Sequence, residues 1–361
     1  MDSTRPRLCA SAGSRVGLLT VEPFAFAFRA MGSPCEIRLH GASREAAWEV
    51  AAAAIAEVGR LERKYSRYLE ASLATRINRS AGDAAGVVVD EETATLLDYA
   101  ATAHRESDGL FDVTSGVLRR AWNFRSGRVP ERVEIDALLP LVGWQRVRWE
   151  RPCIVLPIAG MELDFGGYVK EYAADRAAAL CRTRGAAHGL VDLGGDLAVV
   201  GPHPDGSPWR VGIRHPREES AALASVSLAA GALASSGDYE RCLVVDGRRY
   251  AHVLDPRTGW PVAGLAAVSV AAELCLVAGT ASTVAMLKGA RGGAWLDRLG
   301  LPNVRMDARG RVGGSLAPAP PRRASAQGSR AGTATSSASK PRSPSRLAAA
   351  VASARRAKPV A

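Results

Sequence analysis

The chain has 361 residues, 47% hydrophobic and 23% charged, with a formal charge of +11 and six cysteines. That length and apolar content support one large domain or two intimate ones and exclude a fibre, while no apolar run approaches the roughly 20 residues of a spanning helix. The cysteines (Cys9, Cys35, Cys153, Cys181, Cys242, Cys275) form no C-x-x-C pair and no His/Cys cluster, which argues against a zinc site or disulfide framework and suits a reducing compartment.

In chain order, residues 1–23 have apolar runs broken by Thr20, Glu22 and Pro23. They lack the continuous h-region of a signal peptide and read as a flexible extension of a cytoplasmic protein, a periplasmic location staying open if the start site lies elsewhere. Ala25–Leu39 alternates as a strand interrupted or bulged at Gly32. Arg44–Tyr65 carries apolar residues at helical spacing, and Glu92–Ser107 reads as a second helix stopped at Asp108-Gly109. Phe111, Asp112 and Thr114 form a turn into a further helix, and Ile154–Leu163 reads as a strand pair around Pro157–Gly160. A short strand Met161–Phe165 then reaches Gly166-Gly167, and a helix follows from about Tyr168 to Arg184. A glycine pair between strand and helix permits close backbone approach to an anion, although tight turns need glycine without any ligand.

Strands follow at His188–Leu193 and Leu197–Gly201, and strand patterns run from Trp209 onward. Asp246-Gly247 between alternating runs is a hairpin signal, which puts His252 on the second strand of that hairpin, ahead of the Asp255-Pro256-Arg257-Thr258-Gly259 turn. Ala267–Ala271 reads as a strand and Ala278–Leu287 as a helix, with the fold ending near Val312. The order gives α+β architecture with an antiparallel sheet in the second half, residues 24–313 forming the domain. Residues 314–361 hold nine Lys/Arg and no Asp or Glu, leaving +2 of the +11 for the rest. That Ala/Ser/Pro/Arg-rich tail reads as disordered, and no specific nucleic-acid partner is expected of it.

Five blocks stand out together: MGSPCEI (Met31–Ile37), LFDVTSGVL (Leu110–Leu118), LDFGGYVKEYAAD (Leu163–Asp175), VDLGGDLAVVG (Val191–Gly201), and SSGDYERC with YAHVLDPRTGWPV. Their order resembles the FAD:protein FMN transferase (ApbE) family over about residues 24–312. The resemblance implies an ApbE-like fold with mixed and antiparallel sheets and flanking helices. It also implies a reaction in which a threonine or serine of an acceptor flavoprotein attacks the FAD pyrophosphate, receives FMN through a phosphoester bond and releases AMP, with Mg2+ bridging the phosphates. His252 matches the catalytic histidine. Met31, the Leu110-Phe111-Asp112 turn, Gly166, Lys170, Tyr172 and Leu254 match the cofactor-binding positions. Asp164 and Asp196 are expected to support turns, and Trp260, like Tyr172, either stacks on a ring or packs.

For the metal, the resemblance implies the backbone carbonyl of Val169, the side chain at position 279 and Thr283. Here two positions depart from the family pattern: Gly279 stands where a ligating aspartate is usual, and Glu171 where glycine is common. With that carboxylate missing, FAD's own pyrophosphate with water, or Thr280 or Ser282, is expected to compensate, and Gly279→Asp to tighten Mg2+ binding. The alternatives to transfer are hydrolysis of FAD to FMN and AMP, or FAD binding without turnover.

Overall fold

The computed structural model describes residues 22–318; the expectations for residues 1–21 and 319–361 lie outside the described residues. The chain begins with β1 (Phe24–Ala30) and β2 (Ser33–Leu39), paired antiparallel with Ala30 opposite Ser33. The expected single interrupted strand is therefore a hairpin. Met31 and Gly32 form its two-residue turn with φ of 51° and 73°, the type I′ geometry whose twist matches the flanking strands and which ordinarily selects Asn-Gly. A methionine there carries about 1–2 kcal/mol of steric cost. Met31→Asn should consequently stabilise the protein by up to about 1 kcal/mol in urea denaturation, at the expense of whatever the methionine side chain touches.

Helix α1 (Arg44–Tyr65) matches its expected bounds: Ser43 caps it by accepting from the Ala46 amide, and Ala47, Ala51, Ala54, Val58 and Leu61 bury one stripe. Next come α2 (Leu73–Arg79), β3 (Val87–Val88) and α3 (Glu91–Glu106), the last capped by Asp90. The helix expected after Thr114 is a 3-10 turn over Ser115–Arg120, followed by α4 (Arg132–Leu138). Of the expected Ile154–Leu163 strand pair only Ile154 and Val155 are in a strand, β5 (Cys153–Val155), which pairs with β4 (Arg148–Glu150) and β3.

Met161–Phe165 is also not a strand. Its backbone groups are taken by side chains and loops, since Asn78 clamps both the amide (2.7 Å) and the carbonyl (3.0 Å) of Leu163 and the Asp164 amide donates to the Val113 carbonyl at 2.7 Å. The segment turns through a 3-10 element at Phe165–Gly167 into α5 (Val169–Thr183).

The rest is β6 (Gly189–Leu193), β7 (Asp196–Gly201), β8 (Trp209–Arg214), β9 (Ala222–Leu228), β10 (Ala232–Gly237), β11 (Cys242–Val245), β12 (Arg248–Ala251), β13 (Leu265–Ala272), α6 (Cys275–Leu287), α7 (Gly292–Leu299), β14 (Asn303–Asp307) and β15 (Val312–Gly313). One antiparallel sheet of eight strands, ordered β1-β2-β6-β7-β10-β13-β14-β15, joins both ends of the domain. Strand alternation gives it two buried faces. Val191, Ala198, Val200, Ala234 and Val268 enter the core beneath α1, α5 and α6. Leu190, Leu197, Val199, Leu233 and Ala266 pack with Trp209, Ile213 and Val226 of the β8–β9 hairpin. Among the described residues no helix is long and apolar enough to cross a membrane.

Candidate functional site

The Asp246-Gly247 turn closes the β11–β12 hairpin as its sequence dictates, with Val245 opposite Arg248. His252 lies one residue beyond β12, where its amide (3.0 Å) and its Nδ1 (3.1 Å) both face the carbonyl of Arg241. A carbonyl only accepts, so Nδ1 carries the proton and Nε2 is left with its lone pair and no partner among the described residues. Burial, partly offset by that carbonyl and reinforced by the Arg241 charge, holds the imidazole pKa below its ordinary value. His252 is thus a neutral ring with an available basic nitrogen.

The following Asp255–Gly259 turn is held by its own aspartate: Asp255 accepts from the Arg257 amide at 2.9 Å and pairs with its guanidinium at 2.7 Å. Leu254 bridges to Pro261 and packs beside an aromatic group in which Trp122 contacts Phe124, Tyr250 and Trp260. Trp260 therefore has a packing partner within the protein, edge-on to Trp122 at 5.4 Å.

The Leu110-Phe111-Asp112 turn offers its backbone rather than its side chains. Leu110 and Phe111 are buried in the core. Asp112 accepts from the Thr114 amide (2.8 Å), the Thr114 hydroxyl (2.6 Å) and the Trp144 amide (2.8 Å), while the Thr114 hydroxyl accepts from the Gly143 amide at 2.7 Å. The carboxylate is an internal anchor for two loops. Through the Asp164 amide the same turn is tied to Gly166, whose amide donates to Asp164 Oδ1 at 2.8 Å; the other oxygen of Asp164 pairs with Arg67. Gly166 itself is exposed, and a Cβ there would lie 2.9 Å from Asp164 Oδ1. Met31, at the β1–β2 turn, is fixed through its amide to Glu62 Oε1 at 2.7 Å and packs partly buried on the core.

Lys170 is not a free surface cation. Its ammonium pairs with the buried carboxylate of Asp196 and donates to the Leu193 carbonyl at 3.1 Å, and the Asp196 and Glu171 charges outweigh desolvation to raise its pKa. It therefore ties the start of α5 to the turn between β6 and β7. Tyr172 faces the other way, donating to Glu92 Oε1 at 3.2 Å in a network that Glu92 shares with Arg60 and Lys64. Both residues are committed within the protein, Lys170 beside the glycine turn and Tyr172 toward α1 and α3.

On α6, Gly279 and Thr283 are one turn apart on the same face. The Thr283 hydroxyl lies 3.1 Å from Ser236 Oγ on β10. Ser236 also meets Ser282, whose hydroxyl donates back to the Gly279 carbonyl at 2.9 Å, and the Thr280 hydroxyl accepts from Tyr99 at 2.9 Å. Thr280 is thus tied to Tyr99, and Ser282 to Ser236 and the Gly279 carbonyl. Glu171 on α5 lies against Gly279; burial first, then the Asp196 charge, raises its carboxyl pKa, opposed by Lys170. Among the described residues no three His, Cys, Asp or Glu side chains are grouped to hold a metal ion.

Strand β10 links the two halves. Ser236 near its end touches Thr283, and five residues later Arg241 holds His252, a stretch of chain spanning at most about 18 Å. The sequence reading missed Ser236, Asn78 and the Arg241 carbonyl. Ser236 and Arg241 carried a signal, since both lie within the singled-out block SSGDYERC; Asn78 becomes visible only through tertiary pairing.

The ApbE family model matches residues 31–304. The chain is 30% identical over 295 residues to the FAD:protein FMN transferase of Rhodobacter capsulatus, covering 78% of this chain and 54% of the relative. It is 32% identical over 211 residues to that of Salmonella typhimurium, covering 56% of this chain and 60% of the relative. The chain thus spans little more than half the length of these two curated relatives. Among solved structures, the ApbE protein of Thermotoga maritima superposes with a TM-score of 0.75 at 31% identity, covering 81% of this chain and 97% of that one. The apo flavinyl transferase ApbE of Pseudomonas stutzeri gives 0.72 at 30% identity, covering 82% and 95%. With a family match that runs from the Met31 turn to β14 and takes in every part of the site just described, the chain belongs to the ApbE family.

Proposed function

We propose that the protein is an FAD:protein FMN transferase that esterifies FMN to a threonine or serine of a separate acceptor flavoprotein. The observation that carries this reading is the state of His252: Nδ1 held by a backbone carbonyl, Nε2 unpartnered and the ring neutral. In the proposed step the acceptor hydroxyl oxygen attacks the FMN-side phosphorus of FAD and its proton passes to His252 Nε2. A P–O bond forms to the acceptor, the P–O bond to the AMP phosphate breaks, and AMP leaves as the anion. Such a transfer depends on positioning and on neutralising charge at the phosphate oxygens. The glycine turn at Gly166 and the backbone of Leu110–Asp112 line the approach, while Lys170 acts by holding the turn between β6 and β7.

The residues fit a divalent cation beside the pyrophosphate: the Thr283 hydroxyl, the Val169 carbonyl and an unpartnered carboxylate oxygen of Glu171 are hard oxygen donors. Bound there, Mg2+ would neutralise phosphate charge; the proton transfer is left to His252. Met31 and Leu254 are assigned to the flavin end, and Tyr172 to support of α5.

Because the His252 pKa is lowered, the acid limb of kcat/KM for AMP release should fall below pH 6.5, the ordinary imidazole value. A limb above that value contradicts a neutral, desolvated base. Product analysis tests the reaction itself. With acceptor present, AMP should form without an equal amount of free FMN, whereas equal AMP and free FMN would mean hydrolysis.

A further inference from the structure

We propose that Glu171 supplies the carboxylate ligand for the divalent cation of this site, reaching from α5 into the space that a side chain at position 279 of α6 would otherwise fill. The proposal rests on reading the site as the metal-bearing end of a pyrophosphate pocket. Two independent features carry it. Glu171 is only 8% exposed, and its Oε2 is buried with no hydrogen-bond partner. A Cβ built on Gly279 would stand 2.5 Å from Glu171 Cγ, 2.8 Å from Oε1 and 2.9 Å from Cδ. Residues 171 and 279 therefore share one volume, and only one of them can carry a side chain into it.

A buried carboxylate oxygen without a donor costs about 1–3 kcal/mol or more, so an unpaired one calls for a partner. Three nearby donor side chains are engaged elsewhere: Lys170 with Asp196 and the Leu193 carbonyl, Tyr99 with Thr280, and Ser282 with the Gly279 carbonyl and Ser236. A hard cation fills the gap, because it takes carboxylate, hydroxyl and carbonyl oxygens together. Thr283 follows Gly279 by one helical turn, and Val169 precedes Glu171 by two residues at the start of α5. The glutamate at 171 and the glycine at 279 thus make one compensated exchange, with the carboxylate delivered from the opposite helix.

This reverses the sequence-based expectation for Gly279→Asp. Alone, that substitution drives a second carboxylate into Glu171, so it should lower Tm and bring no gain in metal affinity.

The test titrates the full-length protein with Mn2+, with and without saturating FAD and no acceptor, reading free Mn2+ by electron paramagnetic resonance and Tm in parallel. Wild type should bind Mn2+ when FAD is present, and Glu171→Gln should weaken it about 10-fold or more. With metal absent, Glu171→Gln should match or exceed the wild-type Tm, since the amide keeps the side chain's shape and removes an ionisable group whose charged form burial disfavours. The double exchange Glu171→Gly with Gly279→Asp should restore affinity to within a few-fold of wild type. Wild-type affinity in Glu171→Gln, or no Mn2+ binding by the wild type with FAD, overturns the proposal. Binding through Glu171 in a protein that never transfers FMN leaves it standing and removes the transferase reading instead.

Discussion

On the proposed reading, His252→Ala should lower FMN transfer by about 100-fold or more while FAD still binds, the loss expected when a positioned general base is removed from proton transfer. The ring owes its readiness to one carbonyl. Arg241 fixes the proton on Nδ1, and Nε2 faces no competing donor among the described residues. The loss should appear in kcat rather than in FAD affinity, because imidazole is asked to act on the attacking hydroxyl and not on the nucleotide. His252→Gln separates base from shape: it retains polar bulk without a basic nitrogen, so it should be nearly as slow as the alanine variant. A rate within a few-fold of wild type in either variant removes the base assignment.

Asp112→Ala has the largest expected effect on the fold, a loss of about 3–5 kcal/mol in urea denaturation. Its carboxylate is almost inaccessible and receives the amides of Thr114 and Trp144 together with the Thr114 hydroxyl. Truncation strands two backbone N–H groups in a buried corner, which costs far more than the bonds themselves contribute. Asp112→Asn should lose about half as much, since its carbonyl oxygen still serves Thr114 while its amide nitrogen faces the donor of Trp144. Both variants release the turn that carries Leu110 and Phe111, so FAD affinity should fall in step with stability. Equal stabilities for Ala and wild type would mean that this anchor does not hold the loops.

How much of this was legible in the sequence differs by element. Helix α1 was read to its bounds because its apolar residues recur at three and four, and the structure adds Ser43 as its cap. The β11–β12 hairpin was read because Asp-Gly has one dominant use between alternating runs. The β1–β2 hairpin was not: Met31-Gly32 is an unusual pair for a turn needing two positive φ values, so a break in one strand was the simpler reading. Met161–Phe165 carries a strand composition, yet its hydrogen bonds go to Asn78 and Val113, a choice made by tertiary packing.

At the candidate site, the block pattern singled out His252 and the glycine turn, but the commitments of Lys170 to Asp196 and of Tyr172 to Glu92 lie in contacts between distant elements. The two departures at residues 171 and 279 look unrelated along the chain. They meet only when α5 packs on α6, where the glutamate occupies the space opened by the glycine.

The most direct measurement is the intact mass of an acceptor flavoprotein domain after incubation with the full-length protein, FAD and Mg2+, run beside the same domain with its acceptor threonine changed to valine. The account predicts a gain of one FMN phosphoryl group on the threonine domain, AMP released in equal amount, and neither on the valine domain. AMP without any change in acceptor mass, or a mass gain that persists on the valine domain, would contradict it.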